Sequence, residues 1–187
     1  MKVLSVCVLA FFACCLSCGA GASQKGVAAL RRALASSASW TMERRMGDSS
    51  RVFVSTGTVS CVVGEGIAWR VLHPFLSSVV MTTNSMVFAD EEGSRVRPLD
   101  NLPHYGEIQK RTDAFARGDA SAFEGLFSLE QIDLPDGTWQ LTMAPEMSAL
   151  RRLFASVRIS GDALPREAVM TNGDGSVTRI RFREIAR

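Results

Sequence analysis

Apolar residues return at every second position in one stretch of this chain after another. Trp40 and Met42 alternate with Thr41 and Glu43; Val59, Cys61 and Val63 with Thr58 and Ser60; Trp139, Leu141 and Met143 with Gln140 and Thr142. Ile67, Trp69 and Val71 stand opposite Arg70, and Ile180 and Phe182 are interleaved with Arg179, Arg181 and Arg183. Successive strand side chains point to opposite faces, so this period builds a sheet with one apolar and one wetted face, the antiparallel pattern. Turn signals separate the runs at Gly64-Glu65-Gly66, at Pro74, at Asp90-Glu91-Glu92-Gly93 and at Asn172-Gly173-Asp174-Gly175. Further strands are predicted over 76–83 and 85–89, and a terminal hairpin over 168–185. With no repeat and no βαβ alternation, the expected fold class is α+β: an antiparallel sheet of about eight or more strands with a few short helices.

The helical segments are fewer. Val27, Leu30, Ala33 and Leu34 recur at helical spacing between Gln24 and Ser37, with Arg31 and Arg32 on the other side. Between Pro98 and Phe127 the strand rhythm stops, and Phe115, Phe123, Leu126 and Phe127 read as the apolar side of one or two short helices; 147–154 reads as a helical turn. Ahead of all this, Lys2 precedes an uncharged run from Val3 to Leu16, and Ala20-Gly21-Ala22 forms an A-x-A site. That is the pattern of a secretory signal peptide, too short for a stable membrane-spanning helix. Residues 1–22 are expected to be removed, leaving 23–187 as one domain. Cys15-Leu16-Ser17-Cys18-Gly19 resembles a lipoprotein processing site, which offers acylation at Cys18 as the alternative to release after Ala22.

The chemistry the residues exclude is as informative. Four of five cysteines (Cys7, Cys14, Cys15 and Cys18) lie in the leader, so Cys61 has no partner for an intrachain disulfide and reads as a small core residue. His73 and His104 are the only histidines, and neither has a neighbour at metal-ligand spacing; no metal site is expected. There is no nucleophile elbow, phosphate-binding loop or dinucleotide fingerprint, and the Asn172 turn lacks the remaining ligands of a calcium loop. An enzyme, for instance a hydrolase, would have to be built on His73 or His104, each read as a surface or edge residue. The whole chain carries 21 basic and 19 acidic residues, a near-balance that argues against a nucleic-acid partner. No cofactor is expected.

One resemblance covers nearly the whole exported part. Trp40-Thr41-Met42-Glu43-Arg44, then Gly57 through Trp69, then Pro74, resemble in order and spacing the periplasmic outer-membrane lipoprotein carriers of the LolA type. In that family a helix precedes an aromatic-Thr-Gln strand, the next strand opens with Gly, a Trp follows and then a Pro. Val79 to Phe88, Trp139 to Pro145 and Val177 to Phe182 resemble the family's later strands. The resemblance implies an incomplete, curved β-barrel covered by helices, with an apolar cavity lined by Trp40, Met42, Val59, Cys61, Val63, Trp69, Val71, Trp139, Leu141, Met143, Ile180 and Phe182. It implies a lid carrying Phe115, Phe123, Leu126 and Phe127. It also implies a periplasmic monomer that takes acylated lipoproteins from an inner-membrane lipoprotein-releasing ATPase complex to an outer-membrane acceptor. An outer-membrane-anchored acceptor of the same fold, attached through Cys18, is the alternative. Two positions depart from the family: its Arg-Pro pair, where the arginine ties lid to barrel, falls on Val63 and Gly64, and its Gln falls on Met42.

Overall fold

A computed structural model describes residues 24–33, 36–47, 50–62, 65–82, 84–98, 110–111, 114, 125, 127–146, 148–151 and 154–184. In chain order its elements are helix α1 (Gln24–Ala33), strands β1 (Ser37–Arg45), β2 (Val52–Val62), β3 (Gly66–His73), β4 (Ser77–Thr82), β5 (Ser85–Asp90), β6 (Gly93–Pro98), β7 (Phe127–Asp133) and β8 (Trp139–Pro145), the turn-length helix α2 (Ser148–Arg151), and strands β9 (Ser156–Gly161), β10 (Pro165–Thr171) and β11 (Val177–Glu184). None of the described helices is long and apolar enough to cross a membrane.

The strands form one eleven-stranded antiparallel sheet in the order β6-β5-β4-β3-β2-β1-β11-β10-β9-β8-β7. It consists of two meanders, β1 to β6 and β7 to β11, joined where the first strand pairs with the last: Trp40 lies opposite Phe182 and Met42 opposite Ile180. β6 and β7 are thus the two ends of the strand order, and among the described residues they do not pair with each other. The sheet is not closed. Flat, it would be about 50 Å across, yet inward residues from both meanders, from Met86 of β5 to Trp139 of β8, belong to a single core cluster.

Burial follows the alternation. β8 is buried at every second residue from Trp139 to Pro145, and β1 buries Trp40 and Met42 between half-buried neighbours. The outer face is wet and carries its charges in pairs: Arg181 Nη1 meets Glu43 Oε1 at 2.8 Å across the β1–β11 seam, and Arg179 and Arg181 both reach Glu167 on β10. Both sheet edges are guarded by polar chemistry. Every residue of β6 is exposed, Arg95 and Arg97 as well as Val96, and β7 exposes Ser128, Glu130 and Asp133 as well as Ile132; the charges among them discourage pairing with another chain.

Four expectations are corrected. Phe127 is not part of a helical lid; it opens β7, buried, with its ring 6.1 Å from that of Phe154. β6 fills the interval between the turn expected at 90–93 and the helices expected from Pro98, where no strand is expected, because Val96 is its one large apolar residue and an edge strand exposed on both faces has no period to read. β9 is a strand the sequence reading does not expect although Val157 and Ile159 alternate correctly; its six residues are short for a periodicity signal. Gly57 does not open a strand but lies in the middle of β2, which begins at Val52.

Candidate functional site

The inner face of the sheet is where the expected lining residues meet. Trp40, Met42, Val59, Cys61, Trp69, Trp139, Leu141, Met143, Ile180 and Phe182 are all buried there, and Val71 is half-buried against them. Val63 lies outside the described residues, as do Phe115, Phe123 and Leu126 of the expected lid, His104 and Cys18. His73 is exposed at the end of β3. The face also contains Val79, Met81, Met86, Val157, Ile159, Ala168 and Met170, which were not named from sequence. Alternation at 79/81 and 157/159 was the available signal. The methionines Met42, Met81, Met86, Met143 and Met170 spread across both meanders, so the whole face is lined with unbranched, polarisable side chains that repack easily.

Two tryptophans organise the first meander. The Trp40 and Trp69 rings stack with centroids 4.5 Å apart and planes 20° from parallel, an offset arrangement that adds to their burial. They can approach because Gly57, opposite Trp40 in β2, has no side chain. A Cβ there would run into the Arg70 carbonyl oxygen and the Trp40 ring. The third, Trp139, anchors the second meander: its Nε1 donates to the Asp162 carbonyl at 2.6 Å.

Helix α1 covers part of this face, touching β8, β9 and β10. It presents Gly26 to Trp139: a Cβ on Gly26 would lie 2.9 Å from Trp139 Cε3 and 2.8 Å from Gln131 Oε1. Its far end is tied by Arg32, whose Nε and Nη2 donate to the Ala163 carbonyl at 3.0 and 2.6 Å. The loop that receives them is itself braced. Asp162 accepts from the Leu164 amide at 3.1 Å and from Arg166 Nε at 3.0 Å. These hydrogen bonds, the Leu164 amide first and then Arg166, hold the Asp162 carboxyl below its usual range. From 114, Ala114 also packs on the core.

Beneath the end of α1 and this loop lies a mainly apolar cavity of about 40 Å³, reached by Ala33, Ala38, Val59, Leu164, Pro165 and Phe182. That is far below the roughly 300–1,000 Å³ of a typical small-molecule pocket. Elsewhere the face is close-packed: Met81, Met86, Trp139, Leu141, Met143 and Val157 have no solvent-accessible surface. The opposite end of the face is polar. There Arg44 stands opposite Thr178, and Thr178 Oγ1, Asn172 Oδ1 and Arg44 Nε have no hydrogen-bond partner among the described residues.

Burial pushes the Cys61 thiol up to about 12, so it stays protonated. Among the described residues no group of three or more His, Cys, Asp or Glu could hold a metal ion. What the face can do is exclude water from apolar matter.

No protein family model and no curated protein matches the chain. Among solved structures it is similar to MucB, at 16% identity and a TM-score of 0.44 over 88% of this chain, which spans 58% of the length of that one. It is similar to an outer membrane lipoprotein-sorting protein domain from Vibrio parahaemolyticus, at 10% identity and a TM-score of 0.38, covering 82% of this chain and 87% of that one. It is also similar to a LolA superfamily protein from Nitrosomonas europaea, at 10% identity and a TM-score of 0.38, covering 81% of this chain and 86% of that one.

Proposed function

We propose that the protein is a periplasmic carrier that binds the acyl chains of lipoproteins on the inner face of its sheet and shuttles them from the inner to the outer membrane. The supporting observation is the continuity of that face: one apolar, methionine-rich surface across ten strands of a sheet that does not close. Moving acyl chains through water exposes CH₂ groups at about 0.8 kcal/mol each, so a chain of ordinary length carries a penalty of roughly 10 kcal/mol that such a face removes without chemistry or a cofactor. An interior packed this closely admits an acyl chain only by opening. Loading separates the α1 side from the sheet, where the buried Ala29 and Leu30, the tight seat of Gly26 and Arg32 are attachments among the described residues. Cargo arrives from an inner-membrane ATPase complex and leaves to an outer-membrane acceptor, and the protein, released after Ala22, travels as a monomer; the mass of the mature N-terminus distinguishes this from anchoring at Cys18.

The three tryptophans of the chain all lie on the inner face, which makes them the reporters of a direct test. Palmitate and a palmitoylated peptide carrying bromine along the acyl chain are expected to bind and to quench tryptophan emission strongly. Absence of binding by the folded protein, or binding without quenching, overturns the proposal.

A further inference from the structure

One end of the inner face is built unlike the rest. Past Met42 on β1 and Ile180 on β11 the next inward positions are Arg44 and Thr178, directly opposite each other. On β10, past Met170, the next inward position is Asn172, diagonal to Thr178. Opposite residues of an antiparallel pair carry their Cβ atoms about 5 Å apart and diagonal ones about 7–8 Å. Thr178 is fully buried and Asn172 only 9% exposed, yet Thr178 Oγ1, Asn172 Oδ1 and Arg44 Nε have no hydrogen-bond partner among the described residues. A buried polar atom without a partner is costly, and three of them on neighbouring positions mark a place fitted to another group.

The polarity of that place is fixed by its surroundings. Ser176 Oγ, also fully buried, donates to Asp174 Oδ1 at 2.6 Å, so it accepts from Asn172 Nδ2 at 2.8 Å, which turns Asn172 Oδ1 outward as an acceptor. Arg44 Nε only donates, and Thr178 Oγ1 does either. Arg44 already has a counter-charge: after the two hydrogen bonds from Ser176, it helps hold the Asp174 carboxyl below its usual range. An anion would meet the Asn172 oxygen and the Asp174 carboxylate there. The group that fits is neutral, accepts on the Arg44–Thr178 side and donates on the Asn172 side. A planar trans amide does both, because its C=O and N–H point in opposite directions. An ester offers the same carbonyl and no N–H.

We propose that this cluster binds the amide linkage of an N-acylated polypeptide, its carbonyl oxygen accepting from Arg44 Nε and Thr178 Oγ1 and its N–H donating to Asn172 Oδ1. The position suits a junction. Met42, Ile180 and Met170, the next residues inward, are buried, while Phe53, opposite Arg44 on β2, is 57% exposed. The acyl chain lies along the apolar rows and the polypeptide continues into water. This inference rests on the acyl-binding reading and adds to it the linkage that the face selects.

The test uses the full exported chain and four radiolabelled probes of equal acyl length, N-methyl lauramide, methyl laurate, laurate and dodecanol, in equilibrium dialysis. The amide should bind about tenfold more tightly than the ester, because the ester leaves Asn172 Oδ1 buried and unpaired. Asn172→Leu should erase that preference. Thr178→Val, which keeps the shape of the side chain, should weaken amide and ester together about fivefold without lowering the melting temperature. Equal binding of amide and ester overturns the inference while the acyl reading stands, and assigns the cluster to ordered water. Tighter binding of laurate or of dodecanol overturns it as well, and so does an amide affinity unchanged by Thr178→Val. Failure of all four probes to bind the folded protein overturns both readings.

Discussion

Gly57 matters because Trp40 lies across it, and its replacement reads out the packing of the first meander. Gly57→Ala places a methyl against backbone as well as ring, and the Arg70 carbonyl cannot rotate away as a side chain would. Overpacking of this kind costs about 1–3 kcal/mol. A loss of about 2 kcal/mol in urea unfolding is expected, together with a changed near-ultraviolet circular dichroism signal from the Trp40–Trp69 stack. Cys61 makes the opposite kind of prediction, one of inertness. Its pKa is raised in the folded state, so the unfolded chain releases the thiol proton first; stability is complete below the ordinary thiol pKa and falls as pH climbs from there toward about 12. At pH 8 the native protein should therefore resist iodoacetamide, and urea-unfolded protein should react at once. Rapid alkylation of the native form would show that the inner face around Cys61 opens freely.

At the scale of elements, α1 is the piece whose attachment is spelled out atom by atom. Arg32→Ala removes two charge-assisted hydrogen bonds from an exposed position, where water replaces much of what is lost, so stability should fall by only about 1 kcal/mol. If α1 must part from the sheet for loading, the same change should speed brominated-palmitate quenching severalfold in stopped flow; an unchanged rate would place the entrance elsewhere. Asp162 adds a pH dependence. Its pKa is lowered in the fold, so its contribution is present above the ordinary aspartate pKa of about 3.9 and disappears as pH falls through the lower folded value. Loop 162–165 should loosen only in strong acid, seen as faster amide exchange at Leu164. Which of these elements the sequence revealed depended on burial. Strands buried on one face, such as β1, β3, β8 and β11, show a period of two, and their inward residues were named one by one. β6, wet on both faces, shows none. Phe127 reads as helical from the sequence because it falls with Phe115, Phe123 and Leu126 in a stretch without strand rhythm, and the strand it opens begins with the phenylalanine itself. The tie from Arg32 to Ala163 joins residues 131 positions apart, and no local pattern carries such a contact. The fit of Gly57 under Trp40 was likewise visible only as a glycine at a spacing, without its reason.

The whole molecule is two meanders held by one strand pair, and this sets how it should unfold. β1 and β11 lie at opposite ends of the chain and meet in the middle of the sheet, so their contacts close the largest loop and add little until both halves exist. If that seam were the only link, the halves would melt separately. They also share a core, however: Met42 and Ile180 face each other across the seam, and α1, which precedes β1 in the chain, packs on β8, β9 and β10 of the second meander. Unfolding either half therefore strips the other of buried surface, and a single cooperative transition is expected. Tryptophan positions make this measurable, because Trp40 and Trp69 report the first meander and Trp139 the second. Two proteins, one with Trp139→Phe and one with Trp40→Phe and Trp69→Phe, should each show a fluorescence midpoint in urea that coincides with its own circular dichroism midpoint. Ile180→Ala, a large-to-small change in the seam, should lower both midpoints together by about 2–5 kcal/mol in stability. Separate midpoints in the Ile180→Ala background would mean that the seam, and not the shared inner face, is what couples the two halves.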